Sequence, residues 1–480
     1  MNKTKIIYYL FLLSLSTLFV LIFCSVSSPL TLYYTGDSSI FMTMGRLFLD
    51  GKVPYIDFFD HKGPVIILIE ALGQMIAPYR MGLFILEILN LFFVLIFIDK
   101  TISFLLKGRM KLVVQILLLI ILSATISSGN STEEYSLLPL FIALYITCRS
   151  YFKSHSITIS DAFIIGICFS FLFWLRLNNA GAICGMVLFL FLYSISKRTY
   201  RSLRNLLLFF IIAQIPLTTI FITYFYYHNG LYDLMYATFI FNFKYVQPAQ
   251  LGKHFWISIL AIILVVIGTI LNYRKNKDKN IFLLCFSILV FNILTSNMGY
   301  VFKHYLILLM PSFTLGLMLV LDCISNTKTK SYIFYISIVF AIAIFTLKGV
   351  NVIKKAPENR QKYTTYQNSA KEILENISPK DMEKVYYYLV ESHFYPIVGL
   401  NPNYKYFILQ EWHGSHDTNI YREINSMMHD TPPMWIVMEK NIKHDWDNNQ
   451  ANNKEFRKIL NNEFILFSEN DHFILYKYNE

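Results

Sequence analysis

Residues 6–24, IIYYLFLLSLSTLFVLIFC, carry no charge from end to end. At about 1.5 Å of rise per residue, such a run crosses the roughly 30 Å hydrocarbon core of a bilayer as one helix. Lys3 and Lys5 precede it, as in a signal peptide, but no A-x-A-like cleavage site follows. The run therefore reads as an uncleaved first helix. Further apolar runs lie near 79–106, 111–128, 135–150, 159–176, 180–196, 205–227, 254–272, 280–297, 304–322 and 331–349. Together they predict a mostly α, polytopic membrane helical bundle of about 11 transmembrane helices over residues 1–350.

Composition agrees. Hydrophobic residues make up 55% of the 480 and charged residues 15%; mean hydropathy is +0.46. A soluble domain carries about a quarter charged residues. The net charge of +11 does not indicate a nucleic-acid partner, because the basic residues cluster between apolar runs, like cytoplasmic loops facing anionic lipid. Membrane lipid is the partner this pattern implies. The six cysteines lie in or at the ends of apolar segments, without metal-type spacing, which argues against a disulfide scaffold or a zinc finger.

One set of loops holds Lys107, Arg109, Lys111, Arg149, Lys153, Lys197, Arg198, Arg201, Arg204, Arg274, Lys275, Lys277, Lys279, Lys328 and Lys330. With Lys3 and Lys5 that makes 17 basic residues, against roughly eight in the opposite loops. The positive-inside rule puts the N-terminus in the cytoplasm, and eleven crossings then leave the C-terminal part outside a multi-pass cell-membrane protein. The inside loops are too short for a nucleotide-binding domain, and no G-x-x-x-x-G-K-[ST] occurs. Chemistry is expected at the outer face.

Two external segments are long. The first, 25–78, holds an amphipathic stretch with Ile40, Phe41, Met44, Leu47 and Phe48 on one face. The turn Asp50-Gly51-Lys52-Val53-Pro54 follows it, then an apolar stretch from Gly63 to Ile76 that reads as an interfacial helix. The second, 228–253, is rich in Tyr and Phe and reads as lipid-facing packing. From 355 to 480 strand-like runs (385–390, 405–410, 434–439, 463–467, 472–478) alternate with helical patterns (363–377, 417–429, 452–461). They predict a small extracytoplasmic α/β domain.

The first external loop reads GDSSIFMTMGRLFLDGKVPYIDFFDHKGP over 36–64, gathering Asp37, Asp57, Asp60, His61 and Lys62 at the membrane surface. This pattern resembles the GT-C superfamily of membrane glycosyltransferases, in particular the protein O-mannosyltransferase-like family 39 and the aminoarabinose transferases. Asp37 matches the acidic motif of the first external loop, and His61-Lys62-Gly63-Pro64 a later Lys-Pro-type motif before the second of two juxtamembrane helices. Many members carry an acidic pair where this chain has Asp37 followed by Ser38.

The resemblance implies a GT-C-like fold and transfer of a sugar from a polyprenyl-phosphate donor to an extracytoplasmic glycan, lipid or protein acceptor. It assigns Asp37 as general base and Lys62 as a phosphate holder, with Arg176, Lys303 and His304 as further phosphate partners. Asp60, His61, Glu133 and Glu134 are candidates for orienting the acceptor or binding a divalent metal ion, with Asp57 a further possible ligand; no spacing compels a metal.

Each residue also has a plainer reading. Asp37 caps a helix, Lys62 snorkels, and Arg176, Lys303 and His304 mark helix ends. Asn130-Ser131-Thr132-Glu133 looks like a capping box. The competing functions are a transporter or flippase, or a polymerase, of lipid-linked saccharides. Transporters tend toward mid-helix charges and two related halves, and the apolar runs here are nearly free of both.

Overall fold

The computed structural model describes residues 3–31, 36–77, 80–245, 254–297, 302–442 and 453–479. Each predicted apolar run lies on a helix: α1 (Lys3–Phe23), α4 (Arg80–Ile102), α5 (Arg109–Thr125), α6 (Thr132–Arg149), α7 (Ile159–Leu175), α8 (Gly181–Ser196), and their successors toward residue 349. Two helices belong to the 25–78 segment, α2 (Gly36–Leu49) and α3 (Pro64–Ile76). Among the described residues, eight helices are long and apolar enough to cross a membrane. The 159–175 and 280–296 helices are apolar but shorter, at about 25 Å each. The chain is a multi-pass membrane protein whose outward-facing helix surfaces are rich in Leu, Ile and Phe.

Inside the bundle, small residues let helices approach. A Cβ on Gly268 would lie 3.0 Å from the Gly316 carbonyl oxygen, so the 256–276 and 310–322 helices cross nearly backbone to backbone.

The last apolar run does not end where the charge begins. Thr327–Leu374 is one 48-residue helix, started by the Asn326 side chain on the amides of Lys328 and Thr329. Lys354, Lys355 and Pro357 look like a helix stop in sequence, yet the helix runs through them. Its far end is held by packing: Tyr366, Ala370 and Ile373 are buried in the small domain, and the Tyr366 hydroxyl donates to Glu439 Oε2 (2.9 Å).

That domain is built on four strands, β1 (Val385–Tyr387), β2 (Trp435–Glu439), β3 (Phe464–Glu469) and β4 (Phe473–Tyr478), in the order β1-β2-β4-β3. β1 and β2 are parallel and the other pairings antiparallel. Helices Thr418–Asp430 and Lys454–Glu463 occupy the predicted helical stretches. The expected strand at 405–410 is absent. Tyr406, Phe407 and Ile408 are buried consecutively rather than alternately, and Leu409 has φ 52°. Side chains satisfy this backbone instead: Tyr395 OH donates to the Phe407 carbonyl (2.8 Å) and Gln410 Nε2 to that of Tyr406 (3.0 Å).

The 228–253 segment differs from its reading as lipid-facing packing. Residues 246–253 lie outside the described residues. In the remainder, Phe241 is fully buried and the Tyr236 hydroxyl donates to Asp417 Oδ2 (2.5 Å). Its aromatics thus pack on the small domain, while Tyr232 and Phe243 are exposed.

Candidate active site

The 36–64 segment is clamped from two sides. α2 starts at Gly36, so Asp37 occupies its first turn, facing the positive end of the helix dipole. Ser38 Oγ donates to the Gly129 carbonyl (3.0 Å), tying α2 to the turn before α6. From the small domain, Ser392 Oγ donates to the Gly36 carbonyl (3.0 Å), and Phe59 N donates to the Lys405 carbonyl (2.9 Å). Lys405–Asp233 (3.0 Å) and Lys244–Asp417 (2.5 Å) ion pairs join the small domain to the segment that begins at residue 228. Asp57 is taken up locally, accepting from Val53 N (2.6 Å).

Lys62 is placed by its neighbour. Gly63 N donates to the Leu175 carbonyl (3.2 Å), and a Cβ on Gly63 would overlap the Trp174 carbonyl, so glycine is required for the two backbones to meet. Pro64 then occupies the first helical position of α3, where its missing N–H costs nothing. This junction sets Lys62 next to Arg176, the extended residue that ends α7. Lys62 Nζ lies 3.7 Å from Asp37 Oδ2 and 3.6 Å from Asp60 Oδ2. Arg176 donates to Glu133 Oε1 (2.7 Å) and to the Tyr305 hydroxyl (2.6 Å). His304 Nε2 is 3.9 Å from Glu133 Oε2.

Burial alone would raise the Asp37 carboxyl. The charges of Lys62, His304 and Arg176 outweigh it and hold the group below the usual aspartate range. Asp37 stays 48% accessible although protein crowds it, as for a carboxylate lining a recess. Asp60 goes the other way, because its burial raises the carboxyl beyond what Lys62 offsets. For Lys62, burial works against the charge, but Asp37 and Asp60 hold the ammonium above its ordinary value. The resting site is thus an ionised Asp37 gripped by a charged Lys62.

Asp37, Lys62, Arg176, His304 and Glu133 converge, and Asp60 braces Lys62. Three candidates point elsewhere. Lys303 Nζ donates to the Ile126 carbonyl (3.0 Å). The His61 ring packs 5.7 Å from Trp412 and 5.8 Å from Phe241, while its carbonyl accepts from Asn242 Nδ2 (2.8 Å). Burial, reinforced by Lys62, holds that imidazole well below its usual pKa, so His61 is neutral packing between loop and domain. Glu134 closes a capping box with Ser131, one residue later than the spacing read from Asn130.

Behind that turn lies a group the sequence did not disclose. Glu87 accepts from Ser27 Oγ and Asn130 N, Glu70 Oε1 accepts from Asn130 Nδ2 (2.6 Å), and Cys24 Sγ donates to Glu134 Oε1 (3.8 Å). All four side chains are buried. Glu70 and Glu87 are lone ionisable residues in apolar stretches, a pattern that marks interior polar sites.

The converged carboxylates suit cations of the protein better than a metal ion. Asp37, Asp60 and Glu133 each already face Lys62, Arg176 or His304, and a divalent ion there would sit among like charges. Cys24, Glu87 and Glu134 have ligand atoms within 4.8 Å of one another, away from these cations.

No family model and no curated protein matches the sequence. Solved structures do match. The fold is similar to that of ArnT from Cupriavidus metallidurans, crystallised with undecaprenyl phosphate, at a TM-score of 0.60 and 10% identity, over 99% of this chain and 98% of that one. It is also similar to the Archaeoglobus fulgidus oligosaccharyltransferase, crystallised with a tethered acceptor peptide, at a TM-score of 0.50 and 11% identity, over 98% of this chain and 74% of that one. Both are GT-C membrane glycosyltransferases, and the chain has their fold.

Proposed function

We propose that this protein is a membrane glycosyltransferase that moves a sugar from a polyprenyl-phosphate donor to an extracytoplasmic glycan, lipid or protein acceptor. The observation that carries the reading is the convergence of one accessible carboxylate, Asp37, with two cationic side chains, Lys62 and Arg176, and the His304 imidazole. A departing lipid phosphate gains charge as the glycosidic bond breaks, and preorganised cations stabilise it. The attacking hydroxyl needs a base on the opposite face of the sugar, and an inverting displacement needs one such carboxylate.

The resting ion pair suits this sequence of events. While Lys62 grips Asp37, the carboxylate is a weak base. A donor phosphate competes for Lys62 and Arg176, and the freed Asp37 gains basicity where the acceptor hydroxyl arrives. An apolar groove of about 440 Å³, lined by Ile69, Leu72, Leu89, Phe93, Leu138 and Phe171 among others, reaches Tyr135, two residues from Glu133. It suits an isoprenoid tail.

The test uses purified protein and polyprenyl-phosphate donors labelled in the sugar. Asp37→Asn is expected to lower transfer or donor hydrolysis by about 10³-fold with the helical content unchanged. Unchanged turnover in that variant removes Asp37 from the mechanism. Movement of intact donor across the bilayer without consumption makes the protein a flippase.

A further inference from the structure

The opposite end of the bundle holds a second cavity. α6, α8 and the 280–296 helix each have one end at the candidate active site and the other at this cavity; the 18 residues of α6 separate the two by about 27 Å. The cavity measures about 590 Å³, and its lining includes Tyr151, Phe152, His155, Tyr193, Lys197 and Asp278.

Its lining is ordered by charge. Tyr151 and Tyr193 are buried and pack edge to face, ring centres 5.5 Å apart, forming an aromatic floor. On one side, Lys197 Nζ stands 5.9 Å from the Tyr193 ring centre, and His155 Nδ1 is 3.3 Å from the Tyr193 hydroxyl. On the other, the Asp278 carboxylate accepts from the Tyr151 hydroxyl and from Asn280 N (2.9 Å). Among the described residues, neither Lys197 nor Asp278 forms an ion pair, although they line one cavity. A cation and an anion kept apart over an aromatic floor match a ligand with both charges and an apolar root.

We propose that this cavity binds the headgroup of a zwitterionic aminophospholipid, its phosphodiester toward Lys197 and His155 and its ammonium toward Asp278 and Tyr151. Phe152, half-buried at the rim, would meet the glycerol and first acyl carbons. The basic loops around it, with Lys153, Arg198, Lys275, Lys277 and Lys279, place the cavity at a membrane surface. The site is independent of sugar transfer and stands whether or not that activity is found.

Purified full-length protein in detergent is titrated with short-chain phosphatidylethanolamine, phosphatidylglycerol or soluble glycerophosphoethanolamine, with native mass spectrometry as readout. Phosphatidylethanolamine is expected to bind at least tenfold more tightly than either of the others. Lys197→Gln, at an exposed position, should weaken it roughly tenfold, as for one charge-assisted hydrogen bond. Asp278→Asn should erase the preference over phosphatidylglycerol. Asp278 also caps a helix, so the Lys197 variant keeps the proposal open to refutation if the Asp278 variant misfolds. Equal binding of phosphatidylglycerol to the wild type, equal binding of the soluble headgroup, or an unaffected Lys197 variant overturns it.

Discussion

Glu133 and Glu134 are neighbours in sequence, and the first turn of α6 sends them into opposite worlds. Glu133 faces Arg176 and His304, within the group that surrounds Asp37. Glu134 faces Cys24 and shares its surroundings with Glu87 and Glu70, and among the described residues none of those three acids pairs with a cation. The first region has its charges balanced by opposite charge at a recess. The second has its carboxyls met by hydroxyl, thiol and amide donors in a closed interior. In the proposed reaction the first exchanges partners with a charged donor, while the second holds α1, α3, α4 and α6 together.

The contrast can be broken by mutation. Arg176→Ala should have the largest effect, because it strips a buried carboxylate of its partner. Removing one member of a buried pair costs about 3–5 kcal/mol, so both thermal stability and donor turnover should fall. If Glu134→Gln lowers turnover as much as Arg176→Ala does, the two regions are not distinct.

Gly63→Ala tests how finely the charged group is placed. The added methyl must displace the Trp174 carbonyl and with it the Lys62–Arg176 junction. A displacement of about 1 Å at such a site is worth roughly 10²-fold in rate, which steady-state turnover would detect. The acid cluster should show no change in a Cys24 alkylation assay on the same variant.

The pH profile is a milder probe. Asp37 has a folded-state pKa lowered by Lys62, His304 and Arg176 against the effect of its burial, so what it contributes to stability is present above the unfolded value of about 3.9 and is lost as pH falls through the folded value. The acid limb of kcat/KM should therefore lie below about pH 4. Lys62→Met should move that limb upward, and a limb that stays put would separate Lys62 from Asp37. The smallest effect is expected for Glu87→Gln: with neutral donors as partners, the amide should cost under about 1 kcal/mol in melting experiments. A loss comparable to that of Arg176→Ala would mean a cation belongs in the cluster.

Much of this arrangement was legible before any coordinates. The long uncharged runs dictate helices because a bilayer leaves the backbone no other partner than itself. Asp37 and Lys62 stand out through the match of the 36–64 segment to the motifs of the glycosyltransferases it resembles. What stayed hidden needed three dimensions. Glu70 and Glu87 each look like a lone polar residue, and their meeting with Glu134 and Cys24 depends on how α1, α3, α4 and α6 pack. Lys303 and His304 are adjacent and indistinguishable by type of position, yet one reaches the Ile126 carbonyl and the other Glu133. The run at 405–410 has strand-forming residues, but tyrosine hydroxyls and Gln410 take over its carbonyls.

The 48-residue helix that leaves the bundle and enters the small domain has a mechanical consequence. With no hinge between them, the azimuth of the sheet is locked to the helix's own screw. One residue inserted near 350 would rotate Ser392 and Lys405 about 100° around that axis and detach them from the loop they clamp. Seven inserted residues would restore the azimuth almost fully, but lift the sheet by about 10 Å. Spacing in this segment is therefore constrained in phase and in height, as on a threaded rod.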